Sequence, residues 1–169
     1  IETTANATVE PRRAVYYTGD LPTETWLKAS GLTFSKLTSA PPAGSLIVAG
    51  PGSKLTNEQI RVILAAGSRV LLLGLEAEKL PFGLSIRRTA FGSISTDPLA
   101  DWPELKGISP ADLRLRTDKE MPLFQASPGV AITAGGLLAR VGSGAGSVIA
   151  SQGIPDSLHA KQHPYYRFS

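Results

Sequence analysis

The stretch from Leu46 to Gly74 restricts the possible folds of this chain more than any other part of it. Leu46-Ile47-Val48-Ala49 is a continuous apolar run, the pattern of a strand covered on both faces. Gly50-Pro51-Gly52-Ser53 then turns the chain. Thr56 and Gln59 have the spacing of a capping box, and Leu55 and Ile60 stand where a hydrophobic staple would place them. Ile60, Ile63 and Leu64 mark one helical face, and Gly67 supplies the left-handed residue on which helices end. Arg69-Val70-Leu71-Leu72-Leu73-Gly74 follows as another largely buried strand. A strand, a helix and a strand of these lengths suit a right-handed crossover between parallel neighbours.

The flanking sequence extends the alternation. Ala14-Val15-Tyr16-Tyr17 reads as a strand stopped by Thr18-Gly19-Asp20. Thr23 to Ser30 reads as a helix closed by Gly31, with Trp26 and Leu27 facing inward. Thr33 to Leu37 alternates like a second strand, and Ser39 to Gly44 is a Pro- and Ala-rich loop. The expected class is therefore α/β: an open, doubly wound, mostly parallel sheet of flavodoxin-like or amidotransferase-like type. Later in the chain, Arg87 to Phe91 predicts a strand and Pro110 to Arg116 a short helical turn capped by Ser109. Val130 to Ala134, Leu137 to Val141 and Ser147 to Ser151 predict three more strands, the last two joined through Gly142 to Gly146 as an antiparallel hairpin.

A chain of 169 residues suffices for one core and not for two, so residues 14–169 are expected to form a single domain preceded by a polar arm or linker over 1–13. The start at Ile1 and the aromatic end Tyr165-Tyr166-Arg167-Phe168 point to excision from a longer chain. Net charge is only +3 and scattered, with Arg12-Arg13 and Arg87-Arg88 as the adjacent basic pairs, which argues against a nucleic-acid partner. No apolar run reaches the roughly 20 residues that span a bilayer, so no membrane partner is expected. The absence of cysteine removes disulfides, thiolate metal sites and cysteine nucleophiles together.

Motifs that carry chemistry are faint. Gly142 to Gly146 contains Gly-x-Gly but leads into the strand-like Ser147-Val148-Ile149-Ala150, whereas a phosphate loop must open a helix. Gly50-Pro51-Gly52 does lie between strand and helix, yet lacks the third fingerprint glycine. The nearest approach to a serine elbow, Gly83-Leu84-Ser85-Ile86-Arg87, ends in an arginine that would crowd the turn. His159 and His163 have no carboxylate partner in sequence to complete a metal site, and no cofactor is expected. Asn6-Ala7-Thr8 fits a glycosylation acceptor by pattern. Asp20 and Glu76 each follow the carboxyl end of an expected strand, where such sheets place ligands. With Ser53 they form a candidate pocket rim. Trp102, flanked by Asp101 and Pro103, is the candidate sugar platform.

Residues 105–116, Leu-Lys-Gly-Ile-Ser-Pro-Ala-Asp-Leu-Arg-Leu-Arg, resemble a "Gly-Ile/Leu-Ser-x-x-Asp-Leu-x-x-Arg" element of large bacterial family 2 β-galactosidase-type glycoside hydrolases. There it follows an α/β domain similar to class I glutamine amidotransferases. Ala66-Gly67-Ser68-Arg69-Val70-Leu71-Leu72-Leu73 resembles the helix-to-strand junction of that domain, and residues 144–152 its late "Gly-x-Gly-x-Val" strand leading to Gln152. The resemblance implies an accessory domain whose partners are other domains of a parent glycosidase, secreted or periplasmic, and carbohydrate. The amidotransferase cysteine is missing from this chain, and the sugar-cleaving carboxylates of such glycosidases belong to a separate barrel. The sequence therefore points to a non-catalytic supporting role. A carbohydrate-binding module with exposed aromatics and a small hydrolase on the same scaffold are the alternatives.

Overall fold

Ile47, Val48 and Ala49 are all buried, and a strand without a solvent face needs packing partners above and below it. The structure, a computed structural model, describes residues 13–75, 80–89, 98–113, 120–142 and 146–153. In chain order these hold β1 (Val15–Thr18), α1 (Leu21–Ala29), β2 (Ser35–Lys36), β3 (Leu46–Ala49), α2 (Asn57–Ala65) and β4 (Arg69–Leu73). Next come β5 (Ser85–Thr89), β6 (Met121–Gln125), β7 (Val130–Thr133), β8 (Leu138–Val141) and β9 (Val148–Ser151). Seven strands form one sheet in the order β2-β1-β3-β4-β9-β8-β7, while β5 and β6 make a separate antiparallel pair. Pairing is parallel from β2 through β9 and antiparallel from β9 to β7. The protein is thus α/β with a mostly parallel sheet, and β8 and β9 pair antiparallel as the glycine run between them suggested.

The two helices pack on opposite faces because β3 alternates. Ile47 and Ala49 share one cluster with Ile60 and Ile63 of α2, whereas Val48 joins Tyr17, Leu73 and Leu27 of α1 on the other side. The capping box that the sequence suggested is formed: the Thr56 amide donates to Gln59 Oε1 at 2.9 Å and the Gln59 amide to Thr56 Oγ1 at 3.2 Å. Leu55 and Ile60 belong to one apolar cluster, and Gly67 sits at φ +73° behind the helix.

Several expectations need correction. The first helix begins at Leu21 because Asp20 caps it through the Thr23 amide, which makes Thr23, Glu24 and Leu27 the buried stripe. Trp26 falls outside that stripe and is 44% exposed, not inward. The space at Glu24 suits a carboxylate because Lys28 and Lys36 reach it at 2.7 and 3.3 Å. The second strand is confined to Ser35–Lys36, and the strand expected at Arg87 to Phe91 is seen as Ser85–Thr89, with residues 90 and 91 outside the described set. The turn expected at Pro110 to Arg116 is seen as Pro110–Leu113, with residues 114–116 outside the described set. Met121–Gln125, with a proline in its second position, gave no strand signal and is paired to β5.

No helix covers the β9-β8-β7 half of the sheet among the described residues. Leu84, just ahead of β5, and Phe124 of β6 take that place on the α2 face, against Val148, Ala150 and Ala139. Trp102, just before the one-turn helix Pro103–Leu105, and Leu105, its last residue, cover Leu138 and Ile149 on the opposite face. That turn is fastened by Glu104, whose Oε1 accepts the Ser147 hydroxyl at 2.6 Å and whose Oε2 lies 3.3 Å from Nε of Arg140. Burial pushes the Glu104 carboxyl up, but the Ser147 hydroxyl, the backbone and Arg140 outweigh it and hold the group below its ordinary value. A carboxyl depressed in the folded state contributes stability above its unfolded pKa and loses it as pH falls. Replacing Glu104 by Gln strands a half-buried guanidinium and is expected to cost about 2 kcal/mol at neutral pH by denaturant unfolding. The gap from the parent protein should narrow as pH drops below 4.5.

Candidate functional site

Open α/β sheets hold ligands beyond the carboxyl ends of their strands, at the point where strand order reverses. From β1 the chain moves outward to β2 and then back across to β3, so that point lies between β1 and β3. It is closed in this protein. The Gly50 amide donates to the Thr18 carbonyl at 2.8 Å and so continues the ladder beyond both strands. The ring of Tyr17, 2% exposed, brings its hydroxyl into the remaining gap and donates to the Asp20 carbonyl at 2.7 Å. A methyl group at Gly50 would stand 2.6 Å from that hydroxyl, and one at Gly19 would stand 2.8 Å from the Gly50 Cα. Two side-chain-free residues thus let the loops touch while Tyr17 fills the space beneath. Burial, reinforced by the charge of Asp20, pushes the Tyr17 phenol up to about 12, so it stays a neutral donor.

The open space lies one strand further, over the ends of β3 and β4, as a cleft of about 590 Å³. One wall is the loop 50–55, which carries Ser53 and Lys54, continued by Asn57 in the first turn of α2. The other comprises Gly74, Leu75, Leu80 and Pro81, above a floor of Ile60, Leu72 and Leu73. Phe82, next to that wall, is left-handed at φ 58° despite its side chain, a conformation that costs about 1 kcal/mol. Such local strain persists only where surrounding packing demands it.

The sequence candidates meet different fates. Ser53 lines the cleft, and its Oγ accepts the Leu55 amide at 3.3 Å. Asp20 is not among the lining residues; its carboxylate is occupied by the Thr23 amide and the Tyr17 hydroxyl. Glu76 lies outside the described residues, as do His159 and His163. Trp102 is 8% exposed and packs with Leu105 and Leu138, so its ring faces the core. Lys54 and Asn57 were not singled out from sequence although Lys54 stands in the loop after a buried strand and Asn57 opens the following helix, positions that could have flagged them. Nothing in the sequence placed Leu80 and Pro81 opposite them, because that contact depends on how the chain returns after β4.

No histidine, aspartate or glutamate lines the cleft among the described residues. Its polar side chains, a hydroxyl, an ammonium and an amide beside an apolar wall, can hold a ligand by hydrogen bonds. A proton shuttle needs a base within reach of the group it deprotonates. Among the described residues no group of three or more metal-ligating side chains gathers, and no helix is long and apolar enough to cross a membrane. Comparison of the chain with known protein families, curated proteins and solved structures finds no match in any of the three.

The closed gap is directly testable. Gly50→Ala should cost about 2–3 kcal/mol, since the added methyl meets a ring that cannot retreat. Combined with Tyr17→Phe, the loss should be clearly smaller than the sum of the two single changes. Additive losses in a double-mutant cycle would mean that the two residues do not compete for this space.

Proposed function

We propose that this chain is a non-catalytic accessory domain of a carbohydrate-active glycoside hydrolase with a β-galactosidase-like parent, serving domain packing, assembly or substrate access. Its sheet is of the doubly wound, flavodoxin-like type, a reading supported by the strand order β2-β1-β3-β4-β9 and by helices on both faces.

The observation that carries the reading is the use made of residues 105–113, where the family resemblance is centred. Ser109 donates to Asp112 Oδ2 through its amide at 2.7 Å and its hydroxyl at 2.8 Å, so serine and aspartate lock the turn on itself. Leu105 and Leu113 enter the apolar clusters on the sheet. These motif residues hold a structural segment in place, as expected of a supporting domain. Leu21, Trp26 and Leu32 on and after α1 are exposed by 70, 44 and 37%, which suits contact with a further domain.

A carbohydrate-binding module is the second reading, now through Trp26, whose exposed ring could stack on a sugar face. Two measurements separate the cases. The purified chain is expected to release no nitrophenol from nitrophenyl β-galactoside above the uncatalysed rate. Turnover that disappears on Asp20→Ala, Ser53→Ala or Glu76→Gln would overturn the non-catalytic reading. Calorimetric titration with galactosides and plant oligosaccharides is expected to give no heat, whereas heat abolished by Trp26→Ala would favour the binding module.

A further inference from the structure

A surface helix ordinarily turns its charges to water and its apolar residues to the core. Apart from one exposed valine, Val62, α2 obeys that rule, with Asn57, Glu58, Gln59 and Arg61 outward and Ile60 and Ile63 inward. In α1 the order is inverted. Its buried side holds Thr23, Leu27 and the carboxylate of Glu24, whereas its exposed side carries Leu21, Pro22, Thr25, Trp26 and Ala29. At about 100° per residue these five share one face, as the rows Leu21-Thr25-Ala29 and Pro22-Trp26. Leu32 continues that face beyond the helix end.

No charge stands on this face. The Thr25 hydroxyl donates back to the Leu21 carbonyl at 2.9 Å, so its hydrogen-bonding demand is met within the helix. Lys28, at the margin, is drawn to Glu24 at 2.7 Å. With Leu21, Trp26 and Leu32 exposed by 70, 44 and 37%, the stripe offers on the order of 400 Å², the size of patch that marks a contact site. We propose that a second copy of this chain covers the stripe, the two α1 helices packing antiparallel about a two-fold axis at Thr25. The row Leu21-Thr25-Ala29 runs from large to small, so the two-fold sets Leu21 of each copy against Ala29 of the other, with Thr25 facing Thr25 between them. Trp26 of each copy then lies beside Pro22 of the other. A face without charge meets itself without like-charge repulsion, and antiparallel helices oppose their dipoles. Roughly 800 Å² buried in total lies below the ~1,000 Å² of a stable interface, so the dimer is expected to be weak, with a dissociation constant of about 10–100 μM. The inference rests on the reading of α1 as a contact face and identifies the further domain as a copy of this one.

Sedimentation equilibrium of the full chain from about 1 to about 300 μM is expected to pass from monomer to dimer. Thr25→Arg sets two like charges against each other at the axis and should raise the dissociation constant at least about tenfold, while Val62→Arg on α2 should leave it unchanged. Because the chain has no cysteine, Thr25→Cys gives an independent reading. Under oxidised glutathione it should cross-link into dimers at least about tenfold faster than Val62→Cys. Association that Thr25→Arg leaves intact, or equal cross-linking at the two positions, would overturn the proposal. A monomer at every concentration would also sink it. If that monomer gives no heat with galactosides, only the second copy is lost as the partner. If it gives heat that Trp26→Ala abolishes, the reading of α1 as a contact face falls as well.

Discussion

The parallel ladder β1-β3-β4-β9, buried on both sides at its centre, is the constraint from which the remaining architecture follows. Its strands have no side that water can take, so each alternate residue demands a separate cover. Ile47 and Ala49 call for α2, and Val48 for α1. Fully burying one such aliphatic side chain contributes about 1.5–3 kcal/mol, so leaving either face open would forfeit several such terms. The far half of the sheet meets the same demand with different material: a two-stranded ribbon on one face and the Trp102–Leu105 turn on the other. A mostly parallel sheet can thus be completed with only two α-helices among the described residues.

Polar groups secure the ends of this layered core. Ser45, Ser68 and Ser147, each just ahead of its strand and each at most 2% exposed, fit between closely packed backbones, and each finds a partner. Asp20 and Thr56 satisfy amides at the starts of the helices that leave the opposite end of the sheet. Glu104 is the costly exception, a carboxylate taken largely out of water. It is tolerable because a hydroxyl and a guanidinium meet it, and through it the covering turn is tied to both β8 and β9.

The same economy of space bears on function. Where the strand order reverses, the gap that many α/β proteins leave for a ligand is filled by the Tyr17 hydroxyl and by glycines that let two loops touch. The accessible cleft is displaced to β3 and β4, with Ser53, Lys54 and Asn57 on one wall and leucines and a proline on the other. Groups of that kind position and support better than they transfer protons. Ser109 and Asp112 are likewise spent on holding a turn together.

Local signals determined the elements whose reasons are local. The run at 46–49, the Thr56–Gln59 box, Gly67 and the apolar run at 70–73 dictate a strand, a capped helix and a strand from neighbours in sequence alone. That part of the fold was legible. Tertiary structure decided everything that depends on a distant partner: the pairing of β6 with β5, the exposure of Trp26, and the burial of Trp102. It also assigned Asp20 to a helix cap instead of the cleft, and it set Leu80 and Pro81 across from Lys54. The reason is physical. Periodicity and capping are written within one or two helical turns, whereas which side chain faces water depends on what the rest of the chain brings against it.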